Sequence, residues 1–227
     1  MRKYLFISAL LGGPLLWASA VQAAPCVSAT YDVYLASGFS CTVGNQTYSG
    51  FSLDAPANVN ASSITVGPAP NAPADNFGLL FNTSNVVSAP PGTDITLDFT
   101  VTATGALIND ASVTITGSTS GDGNIELTEC LGAPDCSSGT LKVQIPGSGG
   151  VGSTAHTTFP PISSIYVTKD TVTFAGLGTA RLDSILELFS EVTPPPPPPP
   201  PVPEPASLVL LGSALMGFAV LRGCKRM

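Results

Sequence analysis

Few residues in this chain of 227 could do chemistry, and most sit in unpromising company. The one histidine, His156, stands in a Gly/Ser/Thr-rich stretch before Phe159. Serine and aspartate are plentiful, but no serine lies in the G-x-S-x-G elbow that would lift its hydroxyl toward such a base. His156 therefore reads as a solvated loop residue. Asp122-Gly123-Asn124, with Glu126 and Glu129 close behind, supplies oxygen atoms of the kind Ca²⁺ takes, yet the spacing matches no EF-hand loop. A hairpin turn with charged strand faces is expected there, with no metal and no cofactor. Tyr31, Tyr34, Tyr48, Phe51, Phe77 and Phe81 could stack on sugar rings, but aromatics two to four apart on strands more often fill a core. With His156 and Arg181 the sole residues of their kinds between the two termini, the chain is expected not to be an enzyme.

Charge narrows the partners. The formal net charge is −7, but the basic residues crowd the ends: Arg2 and Lys3 at one, Arg222, Lys225 and Arg226 at the other. Between Ala24 and Pro201 only Lys142, Lys169 and Arg181 stand against every one of the 15 acidic residues except Glu204, a net charge of −11. Such a body repels phosphate backbones, so nucleic acid is excluded; the acidity suits a soluble outer surface.

Both ends read as addresses. Arg2-Lys3, the apolar stretch Tyr4 to Ala18 and the small residues of Val21-Gln22-Ala23 compose a signal peptide over 1–23. At the other end, Val202-Pro203-Glu204-Pro205 precedes an uncharged run, 206–221, and then the tail 222–227. As a helix that run rises about 24 Å, short of the ~30 Å hydrocarbon layer but within reach of bilayer thinning and snorkelling. The basic tail stays in the cytoplasm by the positive-inside tendency, which puts the acidic middle outside.

Pro203-Glu204-Pro205, a short hydrophobic helix and the basic cluster Arg222, Lys225 and Arg226 at the extreme C-terminus resemble the PEP-CTERM sorting signal of Gram-negative bacteria. Gly223-Cys224 interrupts the basic cluster, a slight departure from the pattern. The signal peptide implies export by the Sec machinery and the apolar run transient anchoring in the inner membrane; the resemblance implies processing near the Pro-Glu-Pro motif by an exosortase-type transpeptidase, and a producer of extracellular polysaccharide or biofilm. More loosely, Gly38 to Gly44, Gly78 to Phe81, Ile108 to Ser112, the Cys130/Cys136 pair and Val167 to Asp170 resemble a body that recurs on such proteins; no activity comes with it.

Four cysteines fall in the exported part: Cys26, Cys41, Cys130 and Cys136. An oxidising compartment and an even count make them disulfides, with three pairings open. The local pairs Cys26–Cys41 and Cys130–Cys136 are favoured. C-x5-C without a helping histidine is a poor zinc pattern.

The elements that would carry these residues are strands. Ile95, Leu97, Phe99 and Val101 alternate with polar residues, as do Val113 and Ile115, and Leu141, Val143 and Ile145. Further strands are expected near 28–35, 47–54, 62–66, 77–82, 124–129, 163–169, 172–174 and 179–190, separated by Gly44-Asn45, Pro90-Pro91-Gly92, Gly121 to Asn124, Pro146-Gly147 and Pro160-Pro161. Residues 182–192 fit a helical face as well as a strand; a final strand is favoured. The fold class is all-β: an antiparallel β-sandwich, jelly-roll-like or immunoglobulin-like, over 24–193. A polyproline linker, 194–201, follows it, about 25 Å long as polyproline II. The sorting signal, 202–227, ends the chain with one short transmembrane helix.

Three functions fit. The first is a non-catalytic exported surface or extracellular-matrix protein, associated with polysaccharide. The second is a carbohydrate-binding β-sandwich module, which needs exposed aromatics on one face. The least favoured is a secreted hydrolase, which needs a pocket of convergent titratable groups.

Overall fold

The computed structural model describes residues 23–70, 72, 76–88, 92–132, 138–147, 152–194, 196 and 198, with backbone alone for 84–88. The expected signal peptide up to residue 22, most of the proline run 194–201, the Pro-Glu-Pro motif, the 206–221 segment and the basic tail lie outside the described residues. Two compact units are present, Met1–Thr193 and Pro194–Met227. Among the described residues no helix is long and apolar enough to cross a membrane.

The first unit is an all-β sandwich of two antiparallel-rich sheets. In chain order the strands are β1 (Ala24–Pro25), β2 (Ala29–Thr30), β3 (Ser40–Val43), β4 (Gln46–Asp54), β5 (Thr65–Pro68), β6 (Asn76–Ser88) and β7 (Thr93–Ala103), then β8 (Leu107–Ser120), β9 (Asn124–Leu131), β10 (Gly139–Ile145), β11 (Gly152–Ile162), β12 (Ser164–Phe174) and β13 (Thr179–Val192). One sheet has the order β1-β3-β4-β7-β12-β9-β10; the other has β11-β8-β13-β6-β5-β2. Only the pairing of β1 with β3 is parallel among the described strands.

Period-two alternation builds this architecture directly, because successive side chains of a strand point to opposite faces. In β7, Ile95, Leu97, Phe99, Val101 and Ala103 turn inward and the residues between them outward. Burying each large apolar side chain stabilises the fold by about 1.5–3 kcal/mol. The β3–β4 hairpin turns on Gly44-Asn45, where Gly44 has φ +60° and lies against the Phe77 ring, so a side chain there would be both strained and obstructed. Residues 182–192 form the end of β13, a central strand.

Three expectations need correction. Residues 28–35 are a two-residue strand, β2, followed by one helical turn, α1 (Tyr31–Tyr34). A strand would send residues 31 and 34 to opposite faces; the turn sends both rings into the core, where Tyr31 Oη donates to Ser52 O (2.9 Å) and Tyr34 Oη to Val27 O (2.8 Å). Residues 62–66 begin as a 3₁₀ turn capped by Asn60, whose Oδ1 accepts from Ser62 N–H, and only then enter β5. The stretch around His156 is not a loop but β11, an edge strand of the second sheet. Pro160 and Pro161 lie inside it, at a register shift between Thr158 and Ile162, in keeping with the confinement of proline to edges and bulges.

Candidate functional site

The same alternation carries three charges into the core. On β12 the inward residues are Ile165, Val167, Lys169, Thr171 and Thr173; on β9 they are Ile125, Leu127, Glu129 and Leu131; on β13, Glu187 lies between inward Ile185 and Phe189. Lys169 and Glu129 are register partners on neighbouring strands of one sheet. Glu187 approaches from the other sheet, at the middle of its central strand. Lys169 Nζ donates hydrogen bonds to Oε2 of both glutamates, and all three side chains are 0% exposed. The ammonium also lies 5.8 Å from the centroid of the Phe99 ring. The second carboxylate oxygens, Oε1 of Glu129 and Oε1 of Glu187, are buried without a hydrogen-bond partner among the described residues.

One cation facing two carboxyls leaves a charge uncompensated, which in a low-dielectric interior favours holding a proton. Burial pushes Glu187 well above the carboxylate range, and neighbouring Glu129 pushes it further, against the pull of Lys169. Burial lowers Lys169, but the two carboxylates outweigh it and raise its ammonium above the usual value. The cluster is thus a Lys169 ammonium held between two buried carboxyls, and burial favours the neutral form at Glu187. On the same inner layer, Tyr48 Oη donates to Gln46 Oε1 (2.6 Å) and Gln46 Nε2 to Phe189 O (3.3 Å). Burial, then the charges of Glu187 and Glu191, push the Tyr48 phenol well above its ordinary value.

Residues singled out from the sequence fall elsewhere. Tyr31, Tyr34, Tyr48 and Phe81 are buried, and Phe51 is half-buried in ring contact with Tyr31, Tyr34, Phe39 and Phe99. These aromatics are core. Among the described residues Phe174 is the exposed ring, at the end of β12 with exposed Val172 and Leu177 nearby in the chain. Glu129 faces inward while Glu126 keeps to the outer face, so the residues near Asp122 that suggested Ca²⁺ are divided between two faces. Among the described residues no group of three or more His, Cys, Asp or Glu side chains could hold a metal ion. His156 Nε2 lies 3.5 Å from Asp110 Oδ2, and no serine hydroxyl hydrogen-bonds it among the described residues. A surface cleft of about 510 Å³ lies between 35–40 and 47–51, without titratable side chains in its lining.

Cys26 and Cys41 form a disulfide, with Cα atoms 4.8 Å apart, that ties the start of the domain to β3. Cys130 is also disulfide-bonded; Cys136, the partner expected for it, lies outside the described residues. The sorting residues Pro203, Glu204 and Pro205 and the basic cluster Arg222, Lys225 and Arg226 lie outside them too.

No curated protein matches the chain. Several solved structures resemble it distantly, three of them as follows. TmCBM61 in complex with β-1,4-galactotriose is 12% identical over 61% of this chain and 88% of that one, with a TM-score of 0.34. The isomalto-dextranase of Arthrobacter globiformis T6 complexed with panose is 16% identical over 56% and 23%, TM-score 0.29. The enzymatically active domain of tailspike protein 4 from bacteriophage CBA120 is 9% identical over 66% and 20%, TM-score 0.29. The PEP-CTERM protein-sorting motif matches residues 201–226, covering the Pro-Glu-Pro triplet, the apolar segment and the basic cluster. The chain is therefore an exported, surface-directed protein that carries a PEP-CTERM protein-sorting motif for an exosortase.

Proposed function

We propose that the protein is a non-catalytic surface or extracellular-matrix protein whose β-sandwich is displayed outside the cell among exopolysaccharide. In this reading residues 1–23 are removed on Sec export. The 206–221 helix holds the precursor in the inner membrane, the 194–201 prolines keep the 24–193 domain clear of the bilayer, and an exosortase cuts near Pro203-Glu204-Pro205. The observation that carries it is the order of parts: a strand-built domain, then a proline run, then the sorting motif at 201–226. The surface charge agrees with it. Lys169 is buried, so Lys142 and Arg181 are the exposed cations of the described domain, and the outer face is overwhelmingly acidic. A matrix protein gains solubility and keeps away from nucleic acid by that charge.

Deleting the exosortase gene and fractionating the cells tests the sorting step. Uncut precursor accumulating in the inner membrane is expected; unchanged size and location would refute it. Incubating the exported protein with the producer's own polysaccharide then tests association. Retention on the polysaccharide is expected, and full recovery in the wash would leave a passive coat.

A further inference from the structure

The buried cluster of Lys169, Glu129 and Glu187 is not used by sorting or display, and an ion triad is an expensive way to fill a core. Taking ions out of water is costly, and apolar residues of similar size usually serve stability as well or better. Here the cost is aggravated, because one oxygen of each carboxyl has no partner among the described residues. What the three groups have in common is reactivity: an amine and two carboxyls, shut away from water, held in contact by interior strands of both sheets. We propose that Lys169 and Glu187 condense to an intramolecular amide that joins the two sheets, with Glu129 as the proton carrier.

The step balances without a co-reactant. It begins from the ammonium of Lys169, the carboxylate of Glu129 and the neutral acid of Glu187. One ammonium proton passes to Glu129, freeing the nitrogen lone pair. The nitrogen attacks Cδ of Glu187 and forms the C–N bond. The C–O bond to the Glu187 hydroxyl breaks, and that hydroxyl leaves with the second proton lost from nitrogen as water. Glu129 ends as a neutral acid. Nothing is oxidised or reduced, one water is released, and a core that held a cation and an anion holds no charge.

The geometry favours each part. Lys169 Nζ touches both carboxyls at once, so proton carrier and electrophile are positioned before the reaction begins, and fixed contact of this kind replaces a bimolecular encounter. Glu187 is the electrophile because burial favours its neutral acid, and hydroxyl leaves a neutral acid where oxide would not leave a carboxylate. Glu129, the register partner of Lys169, lies on the lysine's own sheet and is placed to take its proton. The bond would join β12 to β13 covalently, with no oxidant and no dependence on the redox state that the disulfides require. It stands apart from any polysaccharide partner, so its test is independent of that reading.

The test is peptide mapping of the full chain, expressed with its export signals, then denatured, reduced and alkylated before trypsin digestion. The amide predicts cleavage after Lys142 and Arg181 but none after Lys169. It also predicts a linked species, one water lighter than its two peptides, whose fragment ions place the bond between Lys169 and Glu187. Ordinary cleavage after Lys169, with the Glu187 peptide at full mass, overturns the proposal; a bond mapped to Glu129 overturns the assignment of roles. Two variants separate those roles. Glu187→Gln still closes, releasing ammonia and giving the same linked peptide, whereas Glu129→Gln retains every unlinked mass. Full closure in Glu129→Gln would remove it as carrier. The wild-type map decides the question even if a variant fails to fold.

Discussion

The sandwich is fastened in two places by opposite means. At its N-terminal edge, where β1 is two residues long and pairs with a single neighbour, the Cys26–Cys41 disulfide does the fastening, and Tyr31, Tyr34, Phe39 and Phe51 pack ring against ring nearby. In the interior between the sheets, polar chemistry takes over through Lys169, Glu129 and Glu187. An edge strand lacks neighbours and gains most from a covalent tie. A central strand lacks nothing in burial, and what a charge adds there is register: a slip of one residue in β12 would turn Lys169 to the outer face and leave two buried carboxyls without a cation.

The largest effect should come from removing the central cation. Lys169→Met keeps the volume but abandons Glu129 and Glu187 in the core, at a cost of about 3–5 kcal/mol. Urea unfolding of the exported protein should show the midpoint falling accordingly; a midpoint within error of the wild type would mean that the centre is held by apolar packing alone.

The edge should respond less. The double variant Cys26→Ala/Cys41→Ala opens a loop with a sequence separation of 15, which in the chain-entropy model is worth about 3 kcal/mol. Thermal unfolding should show the loss, and the backbone N–H of Lys169 should exchange with solvent as slowly as in the wild type. If opening the edge exposed Lys169, the two fastenings would be one cooperative unit rather than two.

This division also decides what could be read from sequence. The edge tie was legible because cysteine number and export call for disulfides and Cys26 and Cys41 lie close in sequence, and β7, β9 and β10 were legible because apolar residues mark every second position; β13 fitted a helical face as well, because its inward positions skip from Leu182 to Ile185 at a bulge. The central triad was not, although the signal is present: Glu129 shares the parity of Leu127 and Leu131, Lys169 that of Ile165 and Val167, and Glu187 that of Ile185 and Phe189. Charged residues within alternating strands are ordinarily taken as solvent-facing, and only the pairing of β9, β12 and β13 across two sheets makes them partners. Strand β11 escaped for the converse reason: its half-buried positions Ser153, Ala155 and Thr157 carry too little apolar surface to mark a period. The sorting motif was the easiest to read, being contiguous and requiring no fold.

Alkaline titration should address both regions with one probe each. Burial raises the phenols of Tyr31, at the edge, and Tyr48, at the centre; Asp98 and Tyr166 add to the first, Glu187 and Glu191 to the second. Both folded values lie above the unfolded value of about 10, so the stabilisation is complete below that pH and is lost as pH rises toward the folded values, at up to about 1.4 kcal/mol per pH unit for each tyrosine. Urea midpoints taken from pH 8 upward should be flat to about pH 10 and then decline. Tyr31→Phe and Tyr48→Phe should each remove part of the slope. A slope left whole by Tyr48→Phe would show that the centre takes up no hydroxide-driven strain.

The smallest effect is the control that gives the first its meaning. Lys142 and Lys169 are both lysines on interior stretches of strands, β10 and β12, and both strands pair with β9. Lys142 points outward and is exposed; Lys169 points inward and is fully buried. Register alone separates them: Lys142 is opposite Thr128, an outward position of β9, whereas Lys169 is opposite Glu129, an inward one. Lys142→Met removes the same charge and adds the same side chain, so any effect of net charge on the acidic body is common to both variants. Surface substitutions of this kind usually change stability by less than about 0.5 kcal/mol. Urea unfolding should therefore place Lys142→Met near the wild type and well above Lys169→Met. If the two variants fell together, the loss would come from the overall charge of the domain, and the central triad would have no special part in holding the sheets in register.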